Sequence, residues 1–366
     1  MNAQTRGKNR LNESESEVLE RIEAFRKRRP RLIDETVTLA HGAGGKASAA
    51  LVDAVFVEAF GAPDPSELTD GARLEVDAGA IAFSTDSYVV NPIRFPGGSI
   101  GDLAVNGTVN DLAVSGAVPR WLSVAFVIEE GFAIDELRAI AADIRAAADL
   151  AGVRVVTGDT KVVPRGAADK VFITSSGIGV IPDGRELGAR RVQPGDRVVV
   201  SGTIGDHGMA VMMARGNLAI EADIVSDSAP VHGLVEAVYA AGVDVHWMRD
   251  ATRGGLGTVA NELAQASGLG VVLDDEALPV RAQVRGACDM LGIDPLYVAN
   301  EGVFVAIVAR DAAAATVEAL HGAGAGDAAV IGEIVAQPAA VVAVRNAFGG
   351  TRLVDMLVGD PLPRIC

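Results

Sequence analysis

Short apolar runs alternate with helical patterns along most of this chain, and this alternation constrains the fold more than any other feature. Helical periodicity is clearest over Ile134–Ala151, and strand patterns are clearest over Trp121–Ile128 and Val171–Val180. Alternating strands and helices are typical of α/β proteins. Because some strand patterns follow one another without a helix between them, we predict mixed sheets and some α+β character.

Length and composition indicate two such units. The chain has 366 residues, of which 49% are hydrophobic and only 4% aromatic, so the cores must be built from Val, Ala, Leu and Ile. The segment Pro182–Gly195 is rich in Gly, Arg and Pro and is predicted to cross between the domains. We predict a charged N-terminal arm, disordered or helical, two α/β domains and a mobile tail, with boundaries at 1–35, 36–182, 183–345 and 346–366.

The formal net charge of −16 limits the classes of partner. It argues against nucleic acid, whose phosphates require clustered Lys and Arg, and against anionic membrane surfaces. No apolar run reaches the length of a membrane span, and the polar N-terminus lacks the apolar region of a secretory signal. Two cysteines exclude a disulfide framework, and the five histidines lack zinc-site spacing. We therefore expect a cytoplasmic protein.

Four carboxylates fall at or near the ends of apolar runs, beside Thr, Asn, Gly or Lys. They are Asp86, Asp111, Asp159 and Asp250. Ligands of α/β sheets bind at strand ends, and Mg²⁺ prefers one or two carboxylates together with phosphate oxygens and water. The alternative is that each Asp caps a helix or a turn.

Two glycine runs resemble nucleotide-binding loops. His41–Lys46 could hold phosphates with its backbone N–H groups, although it departs from the Walker A pattern and could be a simple turn. Gly255–Ala260 matches G-x-G-x-x-A, but the charged residues before it disfavour a dinucleotide site.

Two further clusters combine acids with Gly, Lys or Asn. In Gly158–Lys161, a lysine follows an acid after a buried strand pattern, which suits either phosphate binding or proton transfer, although a surface ion pair is an alternative. In Asn300–Gly302, Glu301 is a candidate base, and an ordinary turn is equally consistent with the spacing.

The two cysteines have different settings. Cys288 is predicted to be a small buried hydrophobic residue. Cys366 is the last residue of the sequence, where a role in a core is hard to imagine, and the extended segment Asp360–Cys366 could deliver its thiol into a site at high effective concentration.

Several motifs are specific in combination, and they run from about Val37 to Cys366. They are His41–Lys46, Ser84–Val90, Phe95–Gly98, Asn106–Ala113, Gly158–Val163, Ser201–Gly208, Arg249–Leu256 and Pro363–Cys366. With these motifs the chain resembles the HypE family of carbamoyl dehydratases, which act in NiFe-hydrogenase maturation. That family belongs to the superfamily of aminoimidazole ribonucleotide synthetase and selenophosphate synthetase.

The resemblance implies a reaction on the thiol of Cys366. A partner carbamoyltransferase places a carboxamide on the sulfur, and ATP phosphorylates the carboxamide oxygen. Loss of phosphate leaves a thiocyanate, and iron-assembly maturation proteins accept the cyano group. The resemblance also implies a homodimer in which the N-terminal, ATP-binding domains form a barrel from their two sheets.

The resemblance also assigns roles to individual residues. Lys161 and Glu301 handle the amide and its protons together with Cys366, and either of the two could be the base. Mg²⁺ is held by Asp86, Asp111 and Asp250. The implied ATP-binding residues are Gly42, Gly44, Gly45, Lys46, Asp86, Asp111, Asp159, Thr160 and Asn300.

Two alternatives remain open at this level. Another ATP-dependent member of the superfamily would share the fold and the site, but Leu39–Ala50 lacks the cysteine or selenocysteine usual in selenophosphate synthetases. A non-catalytic maturation scaffold would also expose Cys366, but it would not turn over nucleotide.

Overall fold

The structure is a computed structural model that describes residues 31–42, 46–61, 79–216 and 222–356. Most of the predicted arm, the glycines Gly44 and Gly45, and Cys366 lie outside the described residues. Within the described ranges, no helix is both long and apolar enough to cross a membrane.

The first unit is built on a four-stranded mixed sheet. Its long strands are β1 (Ala80–Tyr88), β4 (Val118–Glu129), β5 (Arg154–Val163) and β6 (Val171–Ile181). The short hairpin of β2 (Arg94–Phe95) and β3 (Gly98–Ser99) lies between β1 and β4 in the chain. The order across the sheet is β1-β6-β4-β5, and only β4 and β5 run parallel. A helical crossover joins that parallel pair, as parallel neighbours require.

Helices cover one face of this sheet. They are α1 (Lys46–Leu51), which continues through a π-helical segment (Val52–Val57) and a last turn (Glu58–Phe60), α2 (Ile100–Val114) and α3 (Ile134–Ala151). The predicted bounds of α3 are confirmed. α2 is buried along most of its length because small residues let it lie against both the sheet and the second unit. Ser99 and Asp102 form a capping box that fixes its start.

The opposite face of the same sheet is uncovered in the described chain. Large apolar side chains project from it, including Phe83, which is 66% exposed, and Ile81, which is 53% exposed. A strand face with exposed aromatic and β-branched residues normally packs against another layer.

The second unit is a seven-stranded mixed sheet with helices. Its strands are β7 (Arg197–Val200), β8 (Val245–Asp250), β9 (Gly270–Asp274), β10 (Phe304–Val308), β11 (Ala329–Val335), β12 (Val342–Arg345) and β13 (Thr351–Val354). Its helices are α4 (Asp206–Ala214), α5 (His232–Ala240), α6 (Gly255–Ser267), α7 (Ala282–Leu291) and α8 (Ala313–Gly322). The strand order is β13-β12-β9-β11-β7-β10-β8, with β9 and β12 parallel. The predicted α/β class with mixed sheets is therefore confirmed.

The two units share a core. The end of α2, at Ala113 and Val114, packs with buried residues of β8, β10 and α5 such as Met248, Phe304 and Val235. α2 is therefore one of the elements that fix the position of one unit relative to the other.

Two predictions about element ends are wrong. Gly158–Lys161 was expected after a strand, but it lies inside β5, and the polar run Thr85–Ser87 likewise lies inside β1. Polar residues can continue these strands because one face of the sheet is uncovered. The expected tail from Asn346 is wrong for Thr351–Val354, which forms β13 against β12. Asn346 closes that hairpin, since its Oδ1 accepts the N–H of Gly350 at 2.8 Å.

Candidate active site between the two domains

Two of the predicted carboxylates meet where β1 faces α2. Asp86 lies on β1, on the sheet face that α2 covers, and Asp111 lies in the last turns of α2. The hydroxyl of Ser84 donates to Oδ2 of Asp111 at 2.5 Å, which holds this carboxylate against the strand. Asp86 lies two residues before the end of β1 and Asp111 lies on a helix, so strand and helix together bring the two carboxylates close.

Asp250 reaches the same place from the second unit. It is the last residue of β8, as predicted, and is 8% exposed. The chain turns directly after it, with positive φ at Gly254 and Gly255. A Cβ on Gly255 would lie 2.5 Å from the carbonyl oxygen of Val298, so only glycine allows α6 to start against the segment before Glu301.

Glu301 lies in the turn that leads into β10. Its side chain is buried, with 3% exposed. Two backbone hydrogen bonds fix the turn to the end of β8: the N–H of Asn300 donates to the carbonyl of Ala251 at 3.0 Å, and the N–H of Ala251 donates to the carbonyl of Val303 at 2.9 Å. The structure thus brings together Asp86, Asp111, Asp250 and Glu301, four of the predicted residues.

Asn300 supports the turn before Glu301 from inside the fold. Its side-chain amide donates to the carbonyls of Ala251 at 2.8 Å and Val298 at 3.1 Å and accepts the N–H of Gly205 at 2.6 Å. The side chain is fully buried. Both amide hydrogens are used inside the fold, so Asn300 supports the turn; that it also binds the nucleotide stays a prediction.

The site is strongly acidic. Burial, followed by the charge of Asp111, raises the pKa of Asp250 to about 7. Burial, together with Asp250 and Asp227, raises the pKa of Glu301 well above its usual value. Burial also raises the pKa of Asp111, against the hydrogen bond from Ser84. Carboxyl groups gathered out of water retain protons near neutral pH unless a cation neutralises them.

Asp227 is a member of this cluster that sequence reasoning missed. It lies in the segment 225–231, here called the strap, which crosses between α2 and the Glu301 turn. Its carboxylate accepts the N–H groups of Glu301, at 3.2 Å, and Gly302, at 3.1 Å. Burial raises its pKa to about 6. The strap lacks periodicity, so no pattern pointed to it; the only signal was an acid between two serines.

The predicted residues of β5 lie elsewhere. Lys161 and Asp159 are 66% and 62% exposed at their side chains and form an ion pair at 3.4 Å. Their register through β4 and β6 places them on the uncovered face, across the sheet from β1. Thr160 points to the other face, and its N–H donates to Asp159 Oδ1 at 2.9 Å. Within one chain, Lys161 is therefore not beside Glu301.

Only part of the Gly-rich loop is described. Leu39–Gly42 forms a short 3-10 turn and α1 begins at Lys46. The buried side chain of His41 accepts the N–H of Thr38 at its Nδ1, at 2.9 Å, which folds the loop's first residues back on themselves.

Metal coordination is not preformed. Among the described residues, no three His, Cys, Asp or Glu side chains are grouped closely enough to hold an ion. The oxygen donors of Asp86, Asp111 and Asp250 nevertheless suit Mg²⁺, which takes few protein ligands when phosphate and water supply the rest.

The two units of this structure correspond to two known domain families. Models of the "AIR synthase related protein" N-terminal and C-terminal domains match residues 68–181 and 193–345. The carbamoyl dehydratase HypE of Rhodobacter capsulatus is 54% identical over 340 residues, which cover 92% of this chain and 99% of the relative. The chain belongs to the HypE family. The Escherichia coli HypE is 45% identical, over 90% of this chain and 99% of its own length.

Solved HypE structures share the fold. A hydrogenase maturation protein HypE in complex with ATP has a TM-score of 0.86 at 45% identity and covers 90% of this chain and 100% of its own. A HypE–HypF complex has a TM-score of 0.74 at 44% identity, over 84% of this chain and 100% of the other. The resemblance drawn from the motifs is thus confirmed.

Proposed function

We propose that this chain dehydrates a carboxamide carried on the sulfur of Cys366 to a thiocyanate, at the expense of ATP, and so supplies the cyanide ligand of the NiFe-hydrogenase iron centre. Membership of the HypE family supports the reaction. The observation that carries the site assignment is the buried Glu301 carboxyl, which shares one acidic cluster with Asp86, Asp111 and Asp250 between the two domains.

The reaction balances as a loss of water that leaves as phosphate. The carboxamide oxygen attacks the γ-phosphorus of ATP, the bond to ADP breaks, and one proton leaves the nitrogen. The O-phosphorylated carbon then loses phosphate while the second proton leaves the nitrogen, which forms the C≡N bond. Phosphorylation is needed because oxide is a poor leaving group and phosphate a good one.

Glu301 is assigned the proton transfer from the nitrogen. Burial and the neighbouring carboxylates raise its pKa well above the usual value, so it binds a proton more tightly than an exposed glutamate would. Lys161 is assigned the stabilisation of negative charge, on the phosphate oxygens or on the amide oxygen. The loop from Gly42 to Lys46, with Asp159 and Thr160, is proposed to contact the nucleotide.

Mg²⁺ is proposed to be held by Asp86, Asp111 and Asp250, where it would neutralise phosphate charge. The electrostatic coupling of the three groups supports this assignment: besides burial, the charge of Asp86 raises the pKa of Asp111, and the charges of Asp111 and Asp86 raise the pKa of Asp250, so the three carboxylates lie close enough to interact.

We further propose a homodimer that buries the uncovered sheet faces in a barrel. The exposed Ile81 and Phe83 support this assembly. The dimer would also explain how Lys161 and Glu301 act together although they are apart within one chain: β5 of one protomer, which carries Lys161, would complete the site of its partner. In this proposal the segment carrying Cys366 alternates between this site and other proteins, in the cytoplasm.

The proposed partners are a carbamoyltransferase that loads Cys366 and iron-assembly maturation proteins that accept the cyano group. The HypE–HypF complex supports the first, since that HypE shares the fold of this chain.

The deciding experiment follows the mass of the protein. The chain is incubated with the carbamoyltransferase, carbamoyl phosphate and ATP, and the intact masses of wild type and Cys366→Ala are compared. In the complete mixture we expect a cyano adduct, lighter by one water than the carboxamide, and no adduct on Cys366→Ala. No cyano adduct on wild type, or one that survives loss of the thiol, would refute the proposal. A carboxamide adduct without any ATP binding by calorimetry would favour a scaffold.

A further inference from the structure

The backbone of Glu301 is held from both sides by two side chains. Its N–H donates to the Asp227 carboxylate at 3.2 Å, and its C=O accepts Nδ2 of Asn110 at 2.9 Å. The next N–H, of Gly302, also donates to Asp227, at 3.1 Å. A carboxylate that accepts two successive N–H groups fixes the orientation of a turn more firmly than one bond would, because both peptide planes are set.

The fit between the strap and this turn is close. A Cβ on Gly302 would lie 1.9 Å from the backbone oxygen of Asp227. Glycine therefore lets the two backbones meet, and the contact is set by the main chain as well as by the carboxylate.

The strap is itself anchored on the first domain. Asn110 of α2 donates to the carbonyl of Ala229 at 3.0 Å and accepts the N–H of Val231 at 2.8 Å. Asn106, one turn earlier, donates to the hydroxyl of Ser228 at 3.1 Å. The position of Glu301 is thus fixed relative to α2, the helix that also carries Asp111.

We propose that Asp227 is a positioning residue for the dehydration: by holding the N–H groups of Glu301 and Gly302, it keeps the Glu301 carboxyl in the orientation that proton transfer requires. This inference rests on the proposed role of Glu301. Asp227 acts through the turn and does not itself contact the substrate. Misplacement of a proton-transfer group by a fraction of an ångström to an ångström lowers rates strongly, while the binding of a distant nucleotide need not change.

The test uses Asp227→Asn, which keeps the shape but replaces one acceptor oxygen with a donor. The full-length chain, loaded by the carbamoyltransferase, is mixed with ATP, and the single-turnover rate of thiocyanate formation is measured. We expect a rate about 10- to 100-fold lower at saturating ATP, with the half-saturating ATP concentration within about twofold of wild type. Asp223→Asn, the same substitution at an exposed carboxylate just before the strap, is the control and should stay within about twofold of the wild-type rate.

A double-mutant cycle separates positioning from a merely structural role. If Asp227 acts through Glu301, the double variant Asp227→Asn/Glu301→Gln should be no slower than Glu301→Gln alone. Rates are expressed per site that binds ATP by calorimetry, so partial unfolding does not lower them. An unchanged rate in Asp227→Asn, or effects that multiply in the double variant, overturns the inference. Full activity of Glu301→Gln would instead overturn the proposed role of Glu301, and this inference with it.

Discussion

Asp86 and Lys161 lie on opposite edge strands and opposite faces of the same four-stranded sheet. Asp86 is aligned through Ser175 and Val124 with Gly158, and Lys161 is three residues further along β5, so its side chain points to the other face. Three strand spacings separate the two edges, which is roughly 14 Å. Within one protomer, Lys161 is therefore too far from the carboxylate cluster around Asp86 to act in the same site.

Mixed dimers should test whether the site is shared. We expect Lys161→Ala and Glu301→Gln each to lose nearly all thiocyanate formation when pure. After the two are unfolded and refolded together, roughly one quarter of wild-type activity should return, because half the dimers are mixed and each mixed dimer has one intact site. A mixture as inactive as its components would show that each site is built within one chain.

Asp250 should make the metal-free protein less stable as the pH rises. Its pKa is about 7 when folded, against an ordinary 3.8, so between these values the folded chain keeps a proton that the unfolded chain has lost. The free energy of unfolding therefore falls as the pH rises through this window, by up to about 4 kcal/mol at 1.36 kcal/mol per unit.

In EDTA, the melting temperature of Asp250→Asn minus that of wild type should grow between about pH 4 and pH 7, because the amide does not titrate. Mg²⁺ should reduce this difference by binding the wild-type carboxylates. The exposed Asp159→Asn serves as the control and should show no such trend. A difference for Asp250→Asn that is independent of pH would contradict the assignment.

Ser84→Ala should weaken the binding of Mg²⁺ that accompanies ATP binding. The Ser84 hydroxyl donates to Asp111 and lowers the pKa that burial raises, so its loss raises the proton affinity of that carboxylate. We expect the Mg²⁺ concentration for half-maximal ATP binding to rise about 3- to 10-fold, and more at pH 6 than at pH 8. Ser267→Ala, which lies far from the site on α6, is the control. Equal shifts in the two variants would show that the Ser84–Asp111 hydrogen bond does not affect Mg²⁺ binding.

Cys288 should remain unmodified in the folded protein. Its side chain is fully buried, and burial raises the pKa of its thiol to about 11, so the reactive thiolate is scarce at pH 8. We expect iodoacetamide to label wild type once, at Cys366, and to leave folded Cys366→Ala unlabelled. Labelling of Cys288 before unfolding would contradict the burial seen here.

The sequence predicted the class of the fold and most of the acidic site, for reasons that differ between residues. Apolar periodicity located α3 to the residue, and Cys288 proved to be the buried residue expected. Motif resemblance selected Asp250 and Glu301, but spacing could not show that they meet. The supporting role of Asn300 was not predicted because an amide that supports a turn and one that binds a ligand look the same in sequence.

Asp227 could not be found from the sequence because its partners lie 74 and 75 residues away and are backbone groups. A backbone contact leaves no complementary side chain to recognise. The strand ends were misplaced for a related reason: whether Thr85–Ser87 can continue a strand depends on what covers the sheet, which is a tertiary property.

The uncovered face of the first sheet makes the stability of this protein depend on its concentration if two copies associate through it. If two copies bury Ile81 and Phe83 against each other, part of the apolar burial that stabilises the first domain is gained only on association. Mass action then makes the melting temperature rise with protein concentration, and dilution alone would unfold a fraction of the chains. The amount of catalyst in a cell would then depend more steeply than linearly on how much of the chain is made.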